Sequence, residues 1–233
     1  MAFPSSKSAK VYNVLLSRFE RVVSSDDIKK TATAFQMDPR AALVTLARNG
    51  ALEPVVFRGV YYVRNRNERD LRTIQEDPFR IIARACNMRL GKGWYFGLAT
   101  ALKLAGVWGQ QSLTTMTIIT RIRVQHAKTS FAGYAVEFKV LSIPSFEAML
   151  RDDGIIRYSE PVRTLLDFAY FGARRGRSDE YARSVIAAIS ARERKRLVEQ
   201  ARQSLSDYPH LYRVLLDRLL LELKKSEVLT HSS

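Results

Sequence analysis

Glu137 and Lys139 stand two apart in the alternating run VEFKV, one half of a nuclease-type site in which the glutamate would share a divalent metal. That chemistry needs a second carboxylate upstream, and the nearest acid is Asp77, far back at a helix start. Charges alternating on the solvent face of a strand account for the pair without a metal. Gly91, Gly93 and Gly97 give a glycine-rich look, but the spacing is G-x-G-x-x-x-G and no strand is expected to lead into it. Neither the dinucleotide fingerprint nor the phosphate-cradling loop is met, and a turn between two helices accounts for the glycines. His126, His210 and His231 are scattered, without metal-ligand spacing. Cys86, in IIARAC, reads as a small core residue rather than a nucleophile. No G-x-S-x-G elbow occurs. No catalytic constellation emerges, so neither enzyme activity, nor a metal, nor a cofactor is expected.

The chemistry that the chain does carry is cationic. It has 38 Lys and Arg against 23 Asp and Glu, a net charge of +15 over 233 residues, and a polyanionic partner is the first expectation. Lys29, Lys30, Arg40, Thr45, Arg48, Arg58, Arg64 and Arg66 fall in one stretch, Ser24–Arg66. The pattern there is helix, tight turn, helix, then two strands. Ser24 and Ser25 can cap the first helix, with Asp26 and Asp27 in its opening turn. Ile28, Ala32 and Phe35 give it an apolar side. Asp38 and Pro39 start the second helix, which carries Ala42, Leu43, Leu46 and Ala47 on one face and stops at Gly50. Leu52–Phe57 and Val60–Val63 would pair across Arg58–Gly59.

Helix-turn-helix followed by such a wing pushes its second helix into the major groove of double-stranded DNA. The outward positions would be Arg40, Ala41, Val44, Thr45 and Arg48. Arg40 and Thr45 could touch base edges, while Lys29, Lys30, Arg58, Arg64 and Arg66 suit phosphates. A winged helix used for protein contacts, or as a structural cap, fits the same pattern.

Around this unit, Lys10–Phe19 reads as its first helix, so residues 1–66 form the expected winged helix domain. The polar stretch 67–76 reads as a connector, and 77–233 as a mixed α/β domain ending in a helical tail; the class is α+β. Within it the spacing predicts a helix from Asp77 to about Met88 and another over Trp94–Ala105. Strands are expected in Leu113–Val124, Ala135–Leu141 and Ile155–Tyr158. Ser145–Leu150 reads as a helical turn and Glu160–Phe171 as a helix capped by Ser159, with helices following from Ser178 to Lys225. From Pro78 to Val136 there is no acid, while Arg80, Arg84, Arg89, Lys92, Lys103, Arg121, Arg123 and Lys128 all fall there. This second field could meet flanking DNA, RNA or an acidic protein, or be a solvated face balanced from elsewhere in the fold. One cysteine, a short polar start and no apolar run of about 18 residues suggest a soluble cytoplasmic protein with no membrane segment.

Two stretches of the second domain carry a family resemblance. GWYFGLATALKLAGVWGQQSLTTMTIIT resembles the middle of AbiEi-type antitoxins, and SEPVRTLLDFAYFG, at Ser159–Gly172, resembles the helix that follows in that family. A winged helix in front of these pieces is also the family's order. The resemblance implies the antitoxin of a type IV toxin–antitoxin pair, linked to abortive infection. It implies repression of its own operon by binding promoter inverted repeats, and a nucleotidyltransferase toxin countered without a stable complex; a two-fold repeat in the promoter would bring self-association on DNA, two copies side by side. The alternative kept open is an RNA- or protein-binding module working through the basic second domain, with the winged helix in support.

Overall fold

The computed structural model describes residues 6–18, 20–107, 113–144, 146–173 and 221. The expected helices between Ser178 and Lys225 lie outside them but for Leu221. The described residues form a mixed α+β protein with seven helices and two sheets. The chain divides into two compact units, one of residues up to 92 with 128–136, the other of 93–127 with the described residues from 137 on.

The first unit opens with α1 (Ser6–Leu16), β1 (Val22–Ser24), α2 (Ser25–Ala34) and α3 (Pro39–Arg48), then β2 (Leu52–Pro54) and β3 (Val60–Val63). Apolar spacing dictates how they meet. Val11 and Leu15 of α1, Ile28 and Ala32 of α2, and Ala42 and Leu46 of α3 are all buried in one core with Val23, Leu52 and Val63. The strands make an antiparallel sheet of order β1-β3-β2, with Val22 opposite Tyr62 and Leu52 opposite Val63. Strand β2 stops at Pro54, short of the expected Phe57, and the sequence pattern gives no sign of β1. Three residues carry too little alternation to read as a strand, and it forms because β3 offers it an edge.

Next come α4 (Arg66–Asp70) and α5 (Pro78–Leu90), which belong to this same unit. The division expected between residues 66 and 77 therefore falls inside it. Within 67–76, Asn67, Asp70, Leu71, Arg72, Thr73 and Gln75 are exposed, as a connector would be, but Glu68 and Glu76 are turned inward. Glu68 is fully buried and accepts from Arg21 (2.8 Å), the Tyr62 hydroxyl (2.7 Å), and the amides of Asn65 (2.8 Å) and Gln75 (2.9 Å). Arg21 also reaches Glu76 at 3.0 Å, and Arg84 of α5 bonds both Glu76 and the Glu20 carbonyl.

In the second unit, β4 (Trp94–Phe96) precedes α6 (Leu98–Leu104) and β5 (Thr115–Thr120). Strand β6 (Lys128–Phe131) and the start of β7 (Tyr134–Val140) count with the first unit, and the second resumes within β7 and continues through β8 (Leu150–Asp152), β9 (Arg157–Ser159) and α7 (Pro161–Ala173). The sheet order is β6-β7-β5-β4-β9-β8, with β4 antiparallel to β5 and parallel to β9. The helix expected over Trp94–Ala105 is wrong at its start, which is a strand. Trp94, Tyr95 and Phe96 are all fully buried, and a short apolar run covered on both faces has no period to tell strand from helix. Gly91–Gly93 is accordingly a helix-to-strand passage, not a turn between helices, and Gly97 follows the strand at the start of α6. A Cβ on Gly97 would run into Ile119, so the close approach of α6's start to β5 needs glycine there.

Candidate nucleic-acid interface

Local chemistry fixes the two helices at the front of the first unit. Ser24 and Asp27 form a reciprocal capping box at α2: the Asp27 amide donates to Ser24 Oγ at 3.1 Å, and the Ser24 amide to Asp27 Oδ2 at 2.9 Å. Burial works against the Asp27 carboxylate, but bonds from Ser24 and from Arg18 (2.7 Å) prevail and hold its pKa at about 2. Helix α2 ends in a turn with Gln36 at φ 53°, where the Met37 amide donates to the Ala32 carbonyl. Helix α3 then starts on Asp38, which accepts from the Ala41 amide at 2.7 Å, with Pro39 in the first turn.

With Ala42 and Leu46 buried, the opposite side of α3 faces outward. Arg40, Ala41, Val44, Ala47 and Arg48 are exposed and Thr45 is half-buried. Ala47, expected on the apolar face, is thus on the outer one. At 100° per residue Arg40, Val44 and Arg48 form one stripe, each a turn beyond the last. The acid at the start of α3 is its cap, Asp38, whose carboxylate is taken up by the Ala41 amide. Lys29 and Lys30 are exposed on α2, beside Asp26 and Thr33, and all four line a shallow open cavity.

The loop joining β2 to β3 carries exposed Arg58 and is pinned from two sides. Ser25 donates its amide to the Gly59 carbonyl at 2.8 Å, and Arg89 of α5 donates to the Arg58 carbonyl at 2.6 Å. Gly59 has φ +75° and its missing Cβ would lie 2.8 Å from Ser25 Oγ, so glycine lets the loop lie against α2. Two residues of the expected set behave differently. Arg64 is held by Glu53 at 2.7 Å, while Arg66, 86% exposed, lies 3.8 Å from Asp70.

The cations expected as one second-domain field are divided. Arg80, Arg84, Arg89 and Lys92 lie in the first unit with Lys128, whereas Arg121 and Arg123 lie in the second. Arg84 is buried and paired, and Arg89 holds the loop backbone. Arg121, Ile122 and Arg123 are exposed after β5, Ile122 by 60%, and Arg121 sits 5.2 Å over the Phe146 ring.

The interior of the second unit absorbs its other polar motifs. Glu137 and Lys139 pair with each other at 2.9 Å, and Lys139 lies 5.7 Å from the Phe171 ring centre. Among the described residues no group of three or more His, Cys, Asp or Glu could hold a metal. In the run PVRTLLD, Arg163 and Asp167 are fully buried one turn apart at 3.0 Å, and Asp167 accepts from the Tyr95 hydroxyl at 2.9 Å. Burial raises the Asp167 carboxyl to about 6, against the pull of Arg163. Thr164 and Ser159 meet at 2.7 Å, tying α7 to β9. These residues hold the helix to the sheet. Burial also pushes the Cys86 thiol up, which suits a core residue.

No protein-family model matches the chain, and no curated protein does. Its fold is similar to that in the crystal structure of the RV2827C protein from Mycobacterium tuberculosis. The TM-score is 0.60 at 18% identity, covering 94% of this chain and 77% of that one. At such identity the likeness concerns the fold alone. No helix among the described residues is long and apolar enough to cross a membrane.

Proposed function

We propose that the first unit is a winged helix and that the chain is a sequence-specific DNA-binding repressor of its own operon. The observation that carries this is the outer stripe of α3: Arg40, Val44 and Arg48 exposed together on the second of two helices joined by a tight turn. Order and placement support it. Helix α3 takes the position of a recognition helix, Lys29 and Lys30 are exposed on the helix before it, and the Arg58 loop takes that of the wing. Arginine forks there match guanine edges or phosphates, and lysines match phosphates.

The resemblance of the second unit's two stretches to AbiEi-type antitoxins extends the proposal. The protein would act in the cytoplasm as the antitoxin of a type IV pair, against a nucleotidyltransferase, and bind promoter inverted repeats as two copies. A gel shift on the upstream region of its own gene tests the DNA part. The Arg40→Ala, Arg48→Ala double variant should lose specific binding, and neutralising any one phosphate-binding lysine or arginine elsewhere should flatten the log–log salt slope by about 0.9. Unchanged affinity in that double variant refutes the reading. The antitoxin part is tested by co-expression with an adjacent nucleotidyltransferase gene: protection that persists in the double variant would assign that activity to the second unit.

A second reading rests on the exposed Arg121, Ile122 and Arg123 after β5, where two cations flank an apolar side chain. An RNA or an acidic protein would bind there. Charge reversal at both arginines should then abolish protection while sparing the gel shift, and protection by the reversed protein would discard this reading.

A further inference from the structure

We infer that Val44 reads the C5-methyl group of a thymine, which makes it a specificity-determining residue of the interface; the inference rests on the DNA-binding reading above. Val44 is 47% exposed, the one large apolar side chain on the outer face of α3. It lies midway along the stripe, one turn from Arg40 and one turn from Arg48. Ala41 and Ala47, the other exposed apolar positions of α3, are too small to hold its backbone away from a partner.

A valine has no hydrogen bond to offer, so it gains nothing from phosphate, sugar hydroxyl or the polar edges of guanine, cytosine and adenine. The thymine methyl is the apolar group that base edges present in the major groove. Its β-branched side chain has one strongly preferred rotamer in a helix, so its methyls are aimed before binding. The flanking cations argue for a nucleic-acid occupant over a protein one. A hydrophobic protein groove would have to take Arg40 and Arg48 out of water along with the valine, at a heavy desolvation cost.

The geometry also gives the spacing. Four residues advance α3 by about 6 Å, against about 3.4 Å per base pair along a strand. Where the arginines reach guanines, the thymine therefore lies about two base pairs from each of them.

The test uses the full chain and a duplex selected from a random library, with each thymine in turn replaced by deoxyuridine, which pairs alike but lacks the methyl. A single replacement should weaken binding about fourfold, the worth of one buried methyl. Val44→Ala should bring the thymine duplex down to the affinity of the uracil one, so that the ratio between them falls to about one. Specific binding that is indifferent to every thymine methyl, or a Val44→Ala protein that keeps the fourfold ratio, overturns this inference alone. A chain that selects no duplex overturns both it and the reading beneath it.

Discussion

Replacing Glu68 by alanine should cost the first unit about 3 kcal/mol or more. The carboxylate is fully buried and accepts four bonds, from Arg21, Tyr62, and the amides of Asn65 and Gln75. Alanine leaves a buried tyrosine hydroxyl and two amides without their acceptor, each worth about 1–3 kcal/mol when unsatisfied. It also leaves Arg21 with half its countercharge. Breaking a buried ion pair costs about 3–5 kcal/mol, and the lower end applies because Arg21 keeps Glu76 at 3.0 Å and is 22% exposed. For a unit of this size about 3 kcal/mol lowers the midpoint of thermal unfolding by roughly 10 °C or more. Urea unfolding followed by far-ultraviolet circular dichroism measures it, with the m value unchanged. The pH dependence gives a second readout. Burial opposes ionisation of Glu68, but its two amide donors, Tyr62 and Arg21 outweigh that and place its pKa below the ordinary 4.5. Its stabilisation is therefore complete above pH 4.5 and disappears as pH falls through the lower folded value. The difference between wild type and Glu68→Ala should shrink in that acid window. A loss under about 1 kcal/mol at pH 7 would show that residues 67–76 are a loose connector after all.

Asp27, at about 2 in the folded chain against 3.8 ordinarily, should stabilise by about 1–2 kcal/mol at neutral pH once screening of its exposed partner Arg18 is allowed for. Its folded pKa is lowered, so this contribution is present above pH 3.8 and lost as pH falls toward 2; the stability gap to Asp27→Asn should close across that window. Gly97→Ala would bring a Cβ against Ile119 Cδ1 and within 2.8 Å of its Cγ1, and should cost about 1–3 kcal/mol. Ile119→Val in the same chain should restore part of that loss in a denaturant titration; equal losses in the single and double variants would exclude the clash as the cause.

Helices α2 and α3 were legible because each carries its own punctuation, whereas α1, read from apolar spacing alone over Lys10–Phe19, starts and ends earlier than that spacing suggests. The Ser24–Asp27 box, the Asp38–Pro39 start and the stop at Gly50 act within a few residues, and burial of Ala42 and Leu46 leaves Arg40, Val44 and Arg48 outside by periodicity alone. Helix α5 follows the same rule through Asp77 and Pro78, whereas the expected cap of α7, Ser159, lies in β9 and bonds Thr164 instead. Strand β1 and the apolar run Trp94–Phe96 were not legible, since their conformation is set by the strands beside them. Charge was the least legible property of all. By residue type Arg64, Arg84 and Arg89 look like ligands for phosphate, yet Glu53, Glu76 and the Arg58 carbonyl occupy them.

What the sequence determined alone is the local part: caps, turns, helix faces and the net charge of +15, all effects that reach a few residues or simply add. Only the tertiary structure decided which charges meet water. Glu68 and Arg21 stand 47 residues apart and Tyr95 and Asp167 stand 72 apart, and whether such groups are spent on each other depends on chain segments that no local pattern brings together. Coulomb attraction and desolvation act through space, so a residue's charge is written in the sequence while its availability is settled by the fold.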